Sequence, residues 1–435
     1  MSNIILIENA RIIDPASNID KIGSLLVKDG LVAEISFDSK IKTQSGTEII
    51  DASGLVLAPG LIDTRVFTGE PGHEYRETLA SASNAAAAGG VTSFICMPDT
   101  SPTIDDAALV DYIIRRAKAT SKVNIYPAAA ITKGLQGKQI TEFGMLKQAG
   151  AVCFTDGRFS LGSTAILKSA FTYAANFNMP IVNHLCDEGL GKSGVMNSGL
   201  LATGLGLKGI PYEAETIPLE RDLQLAKSSG VHYHGAQISC SGSVEIMKRH
   251  RKTNKKISCS VSINNLCLNE NDVGSYRTFF KLSPPLRHED DRKALIKGLN
   301  EGDIDVIHSG HDPQDVEVKR QPFAQAGDGA IGLETMLSAA LRLYHSGECE
   351  LGTILATMTC KPAEIFKIEA GNLKIGAKAD MILIDLDFPW VVDESELHSR
   401  SKNTVFEQAR FSGKVMRTFV SGIEVYSQKG ENNVT

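Results

Sequence analysis

The sequence predicts an α/β fold: a TIM-type (β/α)8 barrel carrying a small β-sandwich domain built from both termini. Three observations lead there. Apolar strand-like runs alternate with helical patterns through the middle of the chain, both ends are rich in short strands, and 435 residues suffice for one large and one small unit. The boundaries read as 1–55 with 370–435 for the composite sandwich and 56–369 for the barrel. Neither tail alone can bury a core, which argues for one joint unit over two separate tails.

Taken in order, residues 4–8, 10–13, 23–28, 31–35 and 48–51 read as strands, with Asp29-Gly30 as a hairpin turn. Residues 58–67 make the first barrel strand: Pro59-Gly60 punctuates its start, and Leu61, Ile62 and Val66 give it a buried character. Alternation along a strand sets Asp63, Arg65 and Phe67 on one face. Further strands are expected at 92–96, 123–128, 151–154, 180–183, 232–238, 256–261 and 305–308. Helices are expected at 77–88, 107–118, 163–177, 217–228, 243–251, 292–300 and 333–344. Eight such strands favour a closed parallel barrel over an open sheet, with any chemistry at the carboxyl ends of the strands. Residues 189–210, rich in Gly and Ser, read as a mobile loop, and strand texture returns at 381–385, 413–420 and 422–426.

Composition narrows the function classes. A net charge of -6 with 42% hydrophobic and 22% charged residues gives no basic patch for nucleic acid. The N-terminus lacks a basic region and long apolar core, and no apolar run reaches membrane-spanning length, so a cytoplasmic protein without a membrane role is expected. The eight cysteines are scattered with no Cys-x-x-Cys pair, as small buried hydrophobes of a reduced compartment are. Small-molecule chemistry and protein contact remain.

Several fragments then point one way. Glu70-Pro71-Gly72, Glu77-Thr78, Ala87-Ala88-Gly89-Gly90-Val91-Thr92, Cys96-Met97-Pro98 and Gly242-Ser243-Val244-Glu245 resemble the bacterial dihydroorotases of the amidohydrolase superfamily. So do Ser283-Pro284-Pro285-Leu286-Arg287, Gly332-Leu333-Glu334-Thr335 and Ser401-Lys402-Asn403-Thr404, and the likeness spans nearly the whole chain. The resemblance implies a zinc-containing barrel that cyclises carbamoyl-aspartate to dihydroorotate in pyrimidine biosynthesis and hydrolyses it in reverse. Zinc suits that work because it polarises the amide carbonyl and lowers its bound water's pKa to roughly 7. Histidines and carboxylates would hold the metal, and an aspartate ending the last strand would act as general base.

Against that pattern the chain is depleted. The His-x-His pair that the resemblance implies on the first strand is Arg65 and Phe67; arginine has no lone pair to give and phenylalanine no donor atom. The histidine implied after the sixth strand falls on Gln237, and Gly310 in Ser309-Gly310-His311 replaces the general base. Asp156, in Asp156-Gly157, and His184 remain as candidate metal ligands, and His308 and Asp312 as candidate acid/base groups. The plainer alternatives are hydrogen-bonded interior histidines, His311 included, and for Asp312 a loop carboxylate or helix cap. On the substrate side Gly69 stands for an arginine, Asp99 and Ser283 for asparagines, and Asn264-Asn265 for a His-His pair. Arg65, Asp99, Ser283 and Asn265 are therefore remnants of a pocket, in which a charged Asp99 would repel an anionic substrate. Strand-face geometry further suggests that Arg65 pairs with Asp63 or Asp156 and so fills a metal's place by charge.

Two functions follow from the resemblance. In the first the chain is a dihydroorotase-like pseudoenzyme without a cofactor, a homo-oligomer and a structural or regulatory partner of aspartate carbamoyltransferase. In the second it is an active, zinc-dependent cyclic amidohydrolase, a dihydroorotase or a hydantoinase- or allantoinase-like enzyme, with a reduced metal site.

Overall fold

The computed structural model describes residues 4–428, so Met1, Ser2 and Asn3 of the N-terminal reading lie outside the described residues. Eight parallel strands form the barrel: Leu61–Val66, Val91–Cys96, Asn124–Ala129, Cys153–Phe154, Pro180–Asn183, His232–Ala236, Ile257–Ser262 and Val306–His308. Each pairs with the next in the sequence. The first and last are tied beyond their ends, where Ser309 N donates to Asp63 Oδ2 at 3.2 Å and Phe67 N to the His311 carbonyl at 3.0 Å. Every residue of the first two strands is buried, because parallel strands under a layer of helices are covered on both faces and read as near-continuous apolar runs.

Several helices start where a side chain satisfies one of their free N–H groups. Thr78 and Ser81 form a capping box at the head of Leu79–Ala88, and Asp106 caps Ala107–Thr120, which buries Val110, Ile113 and Ala117 on one face. The helix expected from residue 217 begins a turn earlier, at Glu213–Ser229, and runs through Pro218. Proline cannot bond back to the Ala214 carbonyl, and Asp187 N donates to it instead at 2.7 Å. Phe143–Ala149, Leu351–Met358 and Cys360–Phe366 are helices without a counterpart in the sequence reading, each too short for its period to stand out.

The chain ends build one mixed eight-stranded sheet. Ile4–Asp14, Ile19–Lys28, Leu31–Ser36, Glu48–Asp51 and Val56–Pro59 come from one end, and Met381–Val391, Arg410–Val420 and Ile423–Ser427 from the other. Val56–Pro59 joins them, pairing parallel with Ile4–Asp14 and antiparallel with Met381–Val391. Asp29 and Gly30 both take left-handed φ, 52° and 79°, as a tight hairpin turn requires. Ile7, Leu25, Leu57, Met381, Leu383 and Phe419 pack into a core of their own, apart from that of the barrel.

Residues 189–210 carry their own structure, contrary to the expected loop. Met196–Asn197 pairs with Gly209–Ile210, the short helix Leu200–Gly204 lies between them, and Arg287 Nη1 clamps Asn197 Oδ1 and the Ile210 carbonyl at 2.9 and 2.7 Å. Five cysteines are buried and three partly so. Among the described residues no helix is long and apolar enough to cross a membrane.

Candidate functional site

A cavity of ≈ 250 Å³ opens at the carboxyl ends of the barrel strands. Arg65 and Phe67 reach it from the first strand, Arg158 from the loop after the fourth, His184 after the fifth, Gln237 after the sixth, Asn264 and Asn265 after the seventh, and Gly310 and Asp312 after the eighth.

Two guanidinium groups share one aromatic ring. The Cζ atoms of Arg65 and Arg158 lie 5.2 and 4.7 Å from the centre of Phe67, so the strand-one pair forms a cation–π stack, worth about 0.5–2 kcal/mol per contact depending on how dry it is. Arg65 is 3% exposed. Its Nη2 donates to the Gly157 carbonyl at 3.2 Å, its Nη1 has no partner, and burial pulls its pKa down to about 10.

The expected ion pair of Arg65 with Asp63 or Asp156 does not form. Asp63 accepts the backbone N–H groups of Arg65 and Ser309 at 3.0 and 3.2 Å. Asp156 accepts Ile131 N at 2.8 Å, Thr132 N at 3.0 Å and Thr132 Oγ1 at 2.6 Å, while burial raises its pKa to about 6. Those backbone donors leave neither carboxylate facing the guanidinium.

Arg158, which the sequence reading missed, takes the ion-pairing role. It donates to Asp99 Oδ2 at 2.6 Å and to Asp312 Oδ1 at 3.2 Å. Asp99 is thereby neutralised, so it does not present the repelling charge expected of it. Asp312 also receives Arg76 Nη2 at 2.7 Å and Gln314 Nε2 at 2.8 Å, so it is a loop carboxylate, as one of the plainer alternatives had it, and the hub of a charge network, not a helix cap. Arg76 and Arg158 adjoin fragments already singled out, Glu77-Thr78 and Asp156-Gly157, but their shared partner Asp312 lies 236 and 154 residues away.

The four histidines in and below the mouth of the barrel are interior groups. His308 Nδ1 accepts Gly310 N at 2.9 Å, and burial, with Arg65 and His234 nearby, pushes its pKa well down. His234 bonds Ser258 Oγ at 2.8 Å and is held to about 3 by burial. His311 Nδ1 accepts Gly332 N at 3.3 Å, with its Nε2 3.6 Å from Glu77 Oε2. His184 faces the cavity: Nε2 lies 3.4 Å from Ser283 Oγ, Nδ1 has no partner, and burial, helped by Arg65, lowers its pKa to about 3. Gln237 Nε2 donates to the Ser283 carbonyl and Asn265 Nδ2 to that of Pro285, both at 3.0 Å.

At Gly69 the backbone itself excludes the side chain that the resemblance implies: it has φ +71°, and a Cβ there would stand 2.7 Å from the His73 carbonyl oxygen. Gly310 has φ +66°, and a Cβ there would stand 2.8 Å from Ser262 Oγ, which would have to turn away. Among the described residues no three His, Cys, Asp or Glu side chains converge as a metal would need. With Asp156 turned to backbone N–H groups, His234 bound to Ser258 and a guanidinium at the end of the first strand, this donor set does not fit a zinc centre.

A nearly closed parallel barrel with a polar mouth and a mixed sheet from both termini is the architecture of an amidohydrolase-superfamily protein. The chain superposes on the L-hydantoinase (dihydropyrimidinase) from Arthrobacter aurescens with a TM-score of 0.89 and 26% identity, covering 100% of this chain and 98% of that one. Residues 54–243 match the Dihydro-orotase-like family. Over 424 residues the chain is 39% identical to a dihydroorotase of Geobacter metallireducens, covering 98% of this chain and 100% of the relative. It is 41% identical over 422 residues to one of Wolbachia sp. subsp. Drosophila simulans, covering 97% and 95%. The chain belongs to the dihydroorotase family.

Proposed function

We propose that this chain is a catalytically inactive, non-zinc dihydroorotase-family protein of pyrimidine biosynthesis, cytoplasmic and homo-oligomeric, which acts as a structural or regulatory partner of aspartate carbamoyltransferase. The observation that carries the reading is the Arg65–Phe67–Arg158 stack at the end of the first barrel strand, where the family resemblance implies two metal-binding histidines. Typical enzymes lower a barrier by about 8–23 kcal/mol. A chain without the metal-activated water and without a carboxylate at Gly310 forgoes two sources of that lowering, and restoring the second by substitution would place a Cβ 2.8 Å from Ser262 Oγ at a left-handed φ.

One observation favours a second reading. His184 Nδ1 is unpartnered in the cavity, so an active metal-dependent cyclic amidohydrolase with a reduced site would be built around it. One preparation tests both. The protein is incubated with zinc, desalted, assayed for metal by elemental mass spectrometry and for dihydroorotate hydrolysis, and then mixed with aspartate carbamoyltransferase and passed over a sizing column. Substoichiometric zinc, no turnover and co-elution with the transferase are expected. Stoichiometric zinc with turnover abolished by His184→Ala would establish the second reading, and the absence of co-elution would remove the partnership.

A further inference from the structure

Past a register shift between Asp385 and Pro389, residues Pro389, Trp390 and Val391 pair with Ser412, Phe411 and Arg410, and the strand Val56–Pro59 no longer accompanies them. A groove of ≈ 460 Å³ runs beside this ribbon, lined on its other side by Arg342 and His345 of the helix Met336–His345. It shares no lining residue with the cavity at the barrel mouth.

Its aromatic floor is fixed in place. The rings of Trp390 and Phe411 lie 5.5 Å apart, Phe406 packs edge-on against Phe411 at 5.4 Å, and Trp390 Nε1 donates to the Gly413 carbonyl at 3.1 Å. Its charges are of one sign. Arg342 Cζ lies 4.3 Å from the centre of Phe411, and Arg342 Nη2 donates to the Arg410 carbonyl at 3.0 Å. Among the described residues neither Arg342 nor Arg410 has a carboxylate within ion-pair distance, and no acidic side chain lines the groove. Arginines elsewhere are paired: Arg11 with Asp20, Arg116 with Glu70, Arg292 with Glu289 and Arg417 with Glu424. His345 gives its Nε2 to the Leu386 carbonyl at 3.0 Å, and Val391 stands 45% exposed at the ribbon.

Arginine and tryptophan gathered at one surface are the composition of an interaction hot spot. Their chemistry selects the partner. A planar guanidinium takes carboxylate or phosphate two-pronged, and an apolar floor takes an apolar side chain. A nucleic-acid backbone is disfavoured, because a chain of net charge -6 repels a polyanion along its length. A protein segment that carries a few carboxylates around an apolar residue meets both demands.

We infer that this groove docks an acidic segment of a partner protein, in which carboxylates flank an apolar side chain. Arg342 and Arg410 hold the carboxylates, and Trp390, Phe411 and Val391 receive the apolar group. The groove is separate from the barrel mouth, so it serves a partner whether or not the chain turns over a substrate.

Trp390 is the only tryptophan of the chain, so its emission reports on the groove directly. Full-length protein is titrated with an acetylated, amidated Asp-Glu-Phe-Glu-Asp peptide, the same peptide with Gly for Phe, Lys-Lys-Phe-Lys-Lys and a short oligothymidylate. The first peptide is expected to bind saturably at one per chain, to change the Trp390 emission and to weaken as salt rises. The Gly peptide should bind about ten-fold more weakly. Arg410→Glu, at an exposed position, should cost the first peptide about ten-fold in affinity, while Lys252→Glu, the same charge change at an exposed lysine outside the groove, should leave it unchanged. If Arg410→Glu fails to fold, Val391→Asp reads the same contact. Absence of saturable binding would overturn the inference, and so would equal losses from Arg410→Glu and Lys252→Glu, the mark of general charge attraction. Equal binding of the Gly or the lysine peptide would also sink it, as would oligothymidylate that displaces the acidic peptide and binds as tightly.

Discussion

Asp14 and Asp380 are carboxylates buried in and beside the terminal sheet; Arg65 and His184 are polar side chains buried as deeply at the barrel mouth. Asp14 accepts Ala16 N, Ser17 Oγ and Leu373 N, and Asp380 accepts Ser421 N and Asn124 Nδ2. Arg65 and His184 each keep an unpartnered nitrogen. The contrast extends beyond these four. Among the described residues every buried side-chain polar atom without a partner lies between Arg65 and His311, and none lies in the terminal sheet. Four of those atoms, on Arg65, His184, Gln237 and Asn264, line the cavity at the barrel mouth, and the others lie elsewhere in the barrel, so the terminal sheet is the more fully paired of the two regions.

The largest expected effect is in the terminal sheet. Leu383→Ala removes a fully buried side chain from that core and should lower unfolding stability by about 2–5 kcal/mol, read from urea midpoints. A loss below about 1 kcal/mol would mean that this region is no tighter than the mouth, and the contrast would fail.

Next comes pH. With a folded-state pKa of about 3 against an ordinary value near 6.5, neutral His184 contributes stability that is fully present above pH 6.5 and lost as pH falls toward 3. At pH 4 that is about 3 kcal/mol. Asp156 works the other way: its folded pKa of about 6 lies above the ordinary aspartate value, so its burial costs least below pH 4 and most above pH 6. His234 and His308 share the direction of His184, so acid should weaken the fold overall. His184→Asn should remove about 3 kcal/mol of the difference between pH 7 and pH 4, measured by urea unfolding at both. An unchanged difference would show that His184 is not held neutral.

The smallest effect sharpens the comparison most. Arg65→Met replaces a buried guanidinium that has no bonded carboxylate and an unpartnered Nη1 by an apolar chain of similar length, and should leave stability unchanged or raise it by up to about 2 kcal/mol in ligand-free buffer. A loss above about 1 kcal/mol would assign Arg65 to the cohesive frame.

The fold was legible because its signals are local or repeated. The eight barrel strands appeared as apolar runs, the Asp29-Gly30 turn as a dipeptide, and the first helix as a helical pattern within two residues of its start at Leu79. The helix from Glu213 was placed late because Pro218 reads as a start, and only the distant N–H of Asp187 makes the extra turn tolerable. The arm at 189–210 read as loose because Arg287, which clamps it, is some eighty residues further on.

At the site, the sequence by itself determined which chemical groups are present: arginine and phenylalanine at the end of the first strand, glutamine after the sixth and glycine after the eighth. Side-chain identity settles whether a lone pair or a proton exists, and no packing alters that. What only the tertiary structure decided is pairing. It turned Asp63 and Asp156 to backbone N–H groups, gave Asp99 and Asp312 to Arg158, and left Arg65 facing a cavity. The reason is physical: buried charges take the partners that the folded backbone brings within hydrogen-bond reach, and that reach is set by strands and loops far apart in sequence.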